Sequence, residues 1–232
     1  MNEPLPQFST QEESMMLFEQ SNHVSVGLVK DFIPSRGIVL LSPSKLAKLK
    51  EENIQIWVER RFGLHASYTD LDYADAGADI LDNAFSVIQS ANIIVKLDPL
   101  TLGEAHFLKP KQVVVSSLDT INPSPEYFSI LKEKQITAFA LDAIEDMDEN
   151  GMLNDIFYRE ETPADITSSL GNFILPIIAS LVFSNNIRAT IQTNPTLFQS
   201  LYCYDGEIAK KEIAEKLSLP WRDFLSLYWN LN

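Results

Sequence analysis

Residues with chemically active side chains are few in this sequence and stand far apart. The three histidines, His23, His65 and His106, include no pair four residues apart, so no helical metal-binding or metalloprotease pattern is present. Each is expected at a loop or strand edge. The single cysteine, Cys203, excludes an internal disulfide and a cysteine-based metal site, and between Tyr202 and Tyr204 it is expected to be packed and inert. No Gly-x-Ser-x-Gly nucleophile turn occurs. Charged residues that follow apolar runs offer more. Lys96 follows Ile93 to Val95, and Asp119 lies just beyond Val113 to Val115. If those runs are parallel strands, both residues sit at carboxyl ends, where open α/β sheets take small ligands.

Glycine sets a second limit. The chain has 8 glycines and none forms G-x-G-x-x-G or the phosphate-loop pattern. A dinucleotide turn needs closely spaced glycines so that the backbone can approach the pyrophosphate. No cofactor of the chain's own is therefore expected. The formal net charge of −14, from 18 basic and 32 acidic residues, repels phosphate backbones and anionic lipid. Nucleic acid and membrane surfaces are not expected partners. The first twenty residues carry no apolar run of signal-peptide length, and the apolar stretch Phe173 to Phe183 is shorter than a bilayer span, so a cytoplasmic chain is expected.

The elements that would position Lys96 and Asp119 follow from apolar runs and breakers. Residues 1–22 are expected to form an arm, with a helix from Ser9 to Gln20. Strands are expected at Val24–Val29, Ile54–Val58, Ala78–Leu81, Ile93–Lys96, Gln112–Ser116 and Ile136–Leu141, the last clear one. Helices are expected at Ser44–Glu52, Asp70–Ala76, Asn83–Ser90 and Pro125–Lys134, started by serine, asparagine or proline and stopped by glycine. The unbroken run at Val113 suggests burial on both faces, as in a parallel sheet. After Asp142 the pattern turns helical: Thr167–Phe183 with a kink at Pro176, Ile187–Thr193, Pro195–Leu201, Glu207–Leu217, and an aromatic helix after Pro220 holding Trp221, Phe224, Tyr228 and Trp229. The expected fold is α/β: an open, mostly parallel sheet with helices on both faces, of the flavodoxin or Rossmann-like kind, followed by C-terminal helices packing on it. Residues 23–158 would form the α/β domain and 159–232 the helical segment that completes it.

Several of these segments resemble the alanine dehydrogenases and the transhydrogenase alpha subunit. Ile38-Val-Leu-Leu-Ser-Pro43 with Lys45 to Lys50 is similar to the R-V-A-L-T-P opening of that family. Tyr73-Ala-Asp-Ala-Gly-Ala-Asp-Ile80 resembles Y-x-x-A-G-A-x-I, Ala91-Asn-Ile-Ile-Val-Lys96 resembles A-D-I-V-L-K, and Leu108 to Val113 resembles L-x-x-G-Q-x. Ile136-Thr-Ala-Phe-Ala140 matches the strand I-T-A-I-A. Leu170-Gly-Asn172 with Pro176, Asn194-Pro195, and Ile213 to Leu217 with Pro220 resemble the family's C-terminal helices. The resemblance implies a substrate domain whose nucleotide-binding domain, placed between these segments in the family, is missing. The join falls between about Asn154 and Thr167.

The resemblance also implies which residues would hold a substrate, and three positions depart from it. The carboxylate-binding arginine position holds Ile38, with Arg36 two residues earlier. Lys96 matches the first lysine of K-V-K-E-P, and Asp98 stands where the second, substrate-binding lysine falls. Asp119 stands at the catalytic histidine position. Arg36, Lys96 and Asp119 are thus the candidate pocket residues, with no catalytic, cofactor or metal residue. The expected function is that of a non-catalytic relative binding a partner or a small amino or oxo acid, the partner being a second copy or a full-length dehydrogenase. The alternative is a split oxidoreductase whose NAD is supplied by a separate chain.

Overall fold

The computed structural model describes residues 24–31, 37–50, 54–120, 122–144, 156 and 162–224. The expected arm and its helix, and the aromatic helix beyond Phe224, lie outside these residues. Eight strands form one sheet in the order β3-β2-β1-β4-β5-β6-β7-β8. The first six are β1 (Ser25–Leu28), β2 (Gln55–Glu59), β3 (Asp79–Leu81), β4 (Ile93–Val95), β5 (Val113–Ser116) and β6 (Thr137–Ala140). All neighbours among them pair in parallel, with Val26 opposite Ile56 on one side and Ile93 on the other. The order 3-2-1-4-5-6 reverses direction between β1 and β4, the arrangement of a doubly wound sheet.

Alternation along the strands divides the core into two layers. Val26, Leu28, Ile93, Val95, Val113, Val115 and Phe139 face one side, and Ile94, Val114, Ala138 and Ala140 face the other. The first side is covered by α1 (Pro43–Lys50) and α2 (Asp70–Asp75), and later by α6 (Pro163–Val182), α7 (Ile187–Thr193) and α8 (Pro195–Ser200). The second is covered by α3 (Ala84–Ser90), α4 (Leu102–His106), α5 (Pro125–Glu133) and α9 (Lys211–Leu217). Helices on both faces explain why the strands read as unbroken apolar runs.

Local chemistry fixes the helix starts. Thr69, Thr101 and Thr162 each accept from the third following backbone N–H, while Asp72, Glu104 and Asp165 return a carboxylate to the capping residue. α4 is absent from the expectation above, because five residues are too few to show a helical period. Its Thr101-x-x-Glu104 box was the readable signal.

α6 runs as one helix through Pro176. It buries Ile166, Leu170, Phe173, Ile174, Ile177, Ile178 and Leu181. At roughly 1.5–3 kcal/mol for each fully buried aliphatic side chain, that burial outweighs the ~3 kcal/mol a mid-helix proline costs. The helix has 20 residues and is long and apolar enough to cross a membrane by length and composition, which corrects the shorter span expected; 56% of its apolar window is buried inside the protein. It docks on the N-terminal half of the chain, with the Val39 N–H donating to Thr167 Oγ1 at 3.2 Å and Lys45 Nζ donating to Asn172.

The C-terminal region is not purely helical, and this corrects the expectation. The helix expected to run through Leu201 stops at Ser200, and β7 (Leu201–Tyr204) then joins β6 antiparallel. β8 (Glu207–Ile208) pairs antiparallel with β7 and takes the first turn of the helix expected from Glu207. Asp205 and Gly206 form the two-residue turn between them with φ of 50° and 79°. Asp-Gly is the standard chemistry for a hairpin turn with two positive φ values, so the sequence carried the signal.

Gly206 is doubly required. A Cβ there would lie 2.7 Å from the Lys132 carbonyl oxygen, and its φ is left-handed. Gly206→Ala is expected to cost about 1–3 kcal/mol from backbone strain alone, with the clash added. A fall in the urea midpoint checks this, and an unchanged midpoint would refute it.

Candidate functional site

The carboxyl ends of the parallel strands are tied together by the chain's own carboxylates. Glu59, the last residue of β2, accepts the Lys30 N–H at 3.0 Å through Oε2 and pairs with Lys30 Nζ at 2.9 Å through Oε1. Asp31, just past β1, reaches across the reversal point to the exit of β4. Its Oδ1 accepts from the Leu97 N–H at 3.1 Å and the Asp98 N–H at 2.9 Å. Asp142, in the turn after β6, accepts the N–H groups of Leu118 and Thr120, each at 2.8 Å, and the Thr120 hydroxyl at 2.9 Å. Three neighbouring loops are thus closed by carboxylates that stand within three residues of a strand end. Their backbone amides, the donors an acid ligand would use, are occupied from within.

The position of Asp31 disfavours its charged form. Burial pushes its carboxyl up to about 6. The Asp98 carboxylate raises it further, while the Leu97 and Asp98 amides and the Lys96 ammonium pull the other way.

Lys96 extends from β4 into the second core layer and is only 1% exposed. Its Nζ lies 2.7 Å from Glu104 Oε2 on α4, and the same oxygen accepts from the Thr101 N–H and hydroxyl. Next to this pair stand two buried hydroxyls, Ser116 Oγ at the end of β5 and Tyr127 Oη on α5, neither with a hydrogen-bond partner. Burial holds the Tyr127 phenol far above its ordinary ionisation range.

The remaining sequence candidates are dispersed. Asp119 is exposed at φ 47° and accepts from the Asn122 N–H at 3.1 Å. Ile38 is half-buried against the first core layer. Arg36 lies outside the described residues. His65 lines a cavity of about 370 Å³ with Gly37, Tyr68, Pro163 and Thr167, and His106 is exposed at the end of α4. Cys203 is fully buried, and burial pushes its thiol up to about 12, far from a nucleophile's range. No group of three or more histidine, cysteine or acidic side chains able to hold a metal occurs among the described residues.

Asp31, Glu59, Asp142 and Glu104 were not singled out from the sequence. A usable signal existed for the first three: an acidic residue stands at or shortly after the end of its apolar strand run. The partners of Glu104 needed the fold, since Lys96 and Glu104 meet only when α4 folds back along β4.

The strand order, the helices on both faces and a polar rim at the carboxyl ends define a doubly wound α/β domain. The chain belongs to the family described as the alanine dehydrogenase/PNT N-terminal domain, whose model matches residues 37–155. It is 26% identical over 120 residues to the alanine dehydrogenase of Methanococcus maripaludis, covering 52% of this chain and 32% of that one. It is 24% identical over 222 residues to the NAD(P) transhydrogenase subunit alpha of Cereibacter sphaeroides, covering 88% of this chain and 41% of that one. The chain thus spans well under half the length of these relatives. A solved L-alanine dehydrogenase superposes with a TM-score of 0.71 at 12% identity, over 84% of this chain and 99% of that one; this likeness is one of fold.

The chain holds no Rossmann nucleotide-binding domain between its two halves. Residues 141–162 lead from β6 to α6, fewer than the roughly thirty of a single βαβ unit, and no dinucleotide glycine motif is present.

Proposed function

We propose that this chain is a non-catalytic member of the family that works by binding a protein partner, either a second copy of itself or a longer dehydrogenase-type chain, and takes no nicotinamide cofactor of its own. The observation that carries this reading is the self-occupied rim. The amide donors are held by Glu59, Asp31 and Asp142, and the buried ammonium of Lys96 is held by Glu104. At the positions where the family resemblance places a carboxylate-binding arginine, a lysine and a catalytic histidine stand Ile38, Asp98 and Asp119. Isoleucine offers no charge-assisted fork, Asp98 reverses the charge, and an exposed aspartate is a weak substitute for a base working near neutral pH.

Calorimetric titration of the purified protein with NAD, NADH, alanine and pyruvate is expected to give no heat of binding. Light scattering of the protein, alone and mixed with a full-length alanine dehydrogenase from the same cell, is expected to give a mass above that of one chain. Micromolar binding of either nucleotide would return the chain to the enzymes. Heat with alanine or pyruvate but not with nucleotide would make it a sensor of small acids.

A split oxidoreductase is the second reading. It is favoured by a relative from Rickettsia prowazekii, 25% identical over 120 residues, whose name makes it one piece of a divided NAD(P) transhydrogenase subunit alpha. Here NAD would come with a separate chain. Hydride transfer that needs both this chain and a purified nucleotide-binding chain, followed as NADH absorbance, distinguishes it.

A further inference from the structure

We propose that the consecutive amides of Leu97 and Asp98 form a binding cradle for a small monocarboxylate, and that this chain keeps the cradle filled with its own Asp31. Both N–H groups converge on one oxygen, Asp31 Oδ1, at 3.1 and 2.9 Å. Successive backbone amides aimed at one point make an anion-binding concavity. The cradle lies between the exits of β1 and β4, where the strand order turns back, and where open α/β sheets place their ligands. The preceding residue, Lys96, adds a cationic field felt at Asp31. The occupant is a half-buried carboxylate tethered by β1, so its effective concentration there exceeds that of a free acid at ordinary concentrations. The cradle is therefore closed to outside acids although its geometry suits them. This holds whichever partner the chain serves.

Removing the internal occupant opens the cradle. In Asp31→Ala the two amides lose their acceptor, and formate or acetate fits the space the side chain leaves. Thermal melts at pH 7.5 in 100 mM sodium acetate, set against 100 mM sodium chloride, read the effect. Asp31→Ala is expected to melt about 3 °C or more higher in acetate, as follows from a ligand at several times its dissociation constant acting on a domain of this size. The wild type, and Asp31→Asn, whose side-chain carbonyl still fills the cradle, are expected to melt alike in the two salts. Equal melting of Asp31→Ala in both salts overturns the proposal. So does an acetate shift of the same size in the wild type or in Asp31→Asn. Should Asp31→Ala not fold, its refolding yield in acetate against chloride is measured instead: recovery in acetate alone supports the cradle, and equal failure overturns it.

Discussion

Replacing Glu104 with alanine is expected to destabilise the protein by about 3–5 kcal/mol, the loss typical when a buried ion pair is left with one charge. The Lys96 ammonium is 1% exposed, and Glu104 at 2.7 Å is its counterion. With the carboxylate gone, the nearby hydroxyls of Ser116 and Tyr127 offer lone pairs without charge, and Asp31, which Lys96 acts on from a distance, is already held by two amides. Glu104 also caps α4 through Thr101, so alanine removes about 1 kcal/mol of cap as well. Two further variants separate the contributions. Glu104→Gln keeps an oxygen for Thr101 and still strands the lysine, so most of the loss is expected to persist. Lys96→Met with Glu104→Gln removes both charges and keeps the cap, and stability is expected to return to within about 1–2 kcal/mol of the wild type, because an apolar replacement of a buried pair is often nearly neutral. Urea unfolding of the four proteins measures this. If the double variant is as unstable as Glu104→Gln, the unpaired charge is not the cause.

Most of the sheet was legible because its strands are buried on both faces and appear as apolar runs bounded by breakers. Val113-Val-Val115 is such a run, and the structure places it in one of the two central strands, between β4 and β6. Cys203 was legible for a similar reason, lying in a run that had to be buried. The hairpin at Tyr202 to Ile208 reads as helix in the sequence because helices surround it, while the signal for strands is local: a four-residue run and an Asp-Gly turn. The rim is illegible as a site in the sequence because its bonds join residues 22 to 67 apart. A carboxylate at a strand end has one meaning beside solvent and another across an order reversal, and the strand order decides which. Lys96 illustrates the point. The sequence places it at a strand end, but Glu104, eight residues on, turns it into the core.

Asp31 supplies the pH dependence. Its carboxyl ionises near 6 in the folded chain and near 3.8 when unfolded, chiefly because it is buried. Below pH 3.8 both states hold the proton and the group is neutral in its effect. Between about 4 and 6 the folded chain holds a proton the unfolded chain has lost, so this contribution falls as pH rises. Above 6 both states are ionised and the folded state carries the full desolvation of the charge, up to about 3 kcal/mol. Asp31→Asn never ionises, and its carbonyl oxygen still accepts from Leu97 and Asp98. The variant is therefore expected to differ least from the wild type near pH 4 and to exceed it in stability increasingly up to about pH 6.5, the gap then holding level to pH 7.5. Because other carboxylates titrate in the same window, the informative quantity is the difference between the two urea midpoints at each pH, in which shared contributions cancel. A difference that stays flat across this range would mean that the two amides and the Lys96 ammonium fully offset the burial of the charge. Asp31 would then be an ordinary loop tie, and the ionised form would be the one the fold is built to hold.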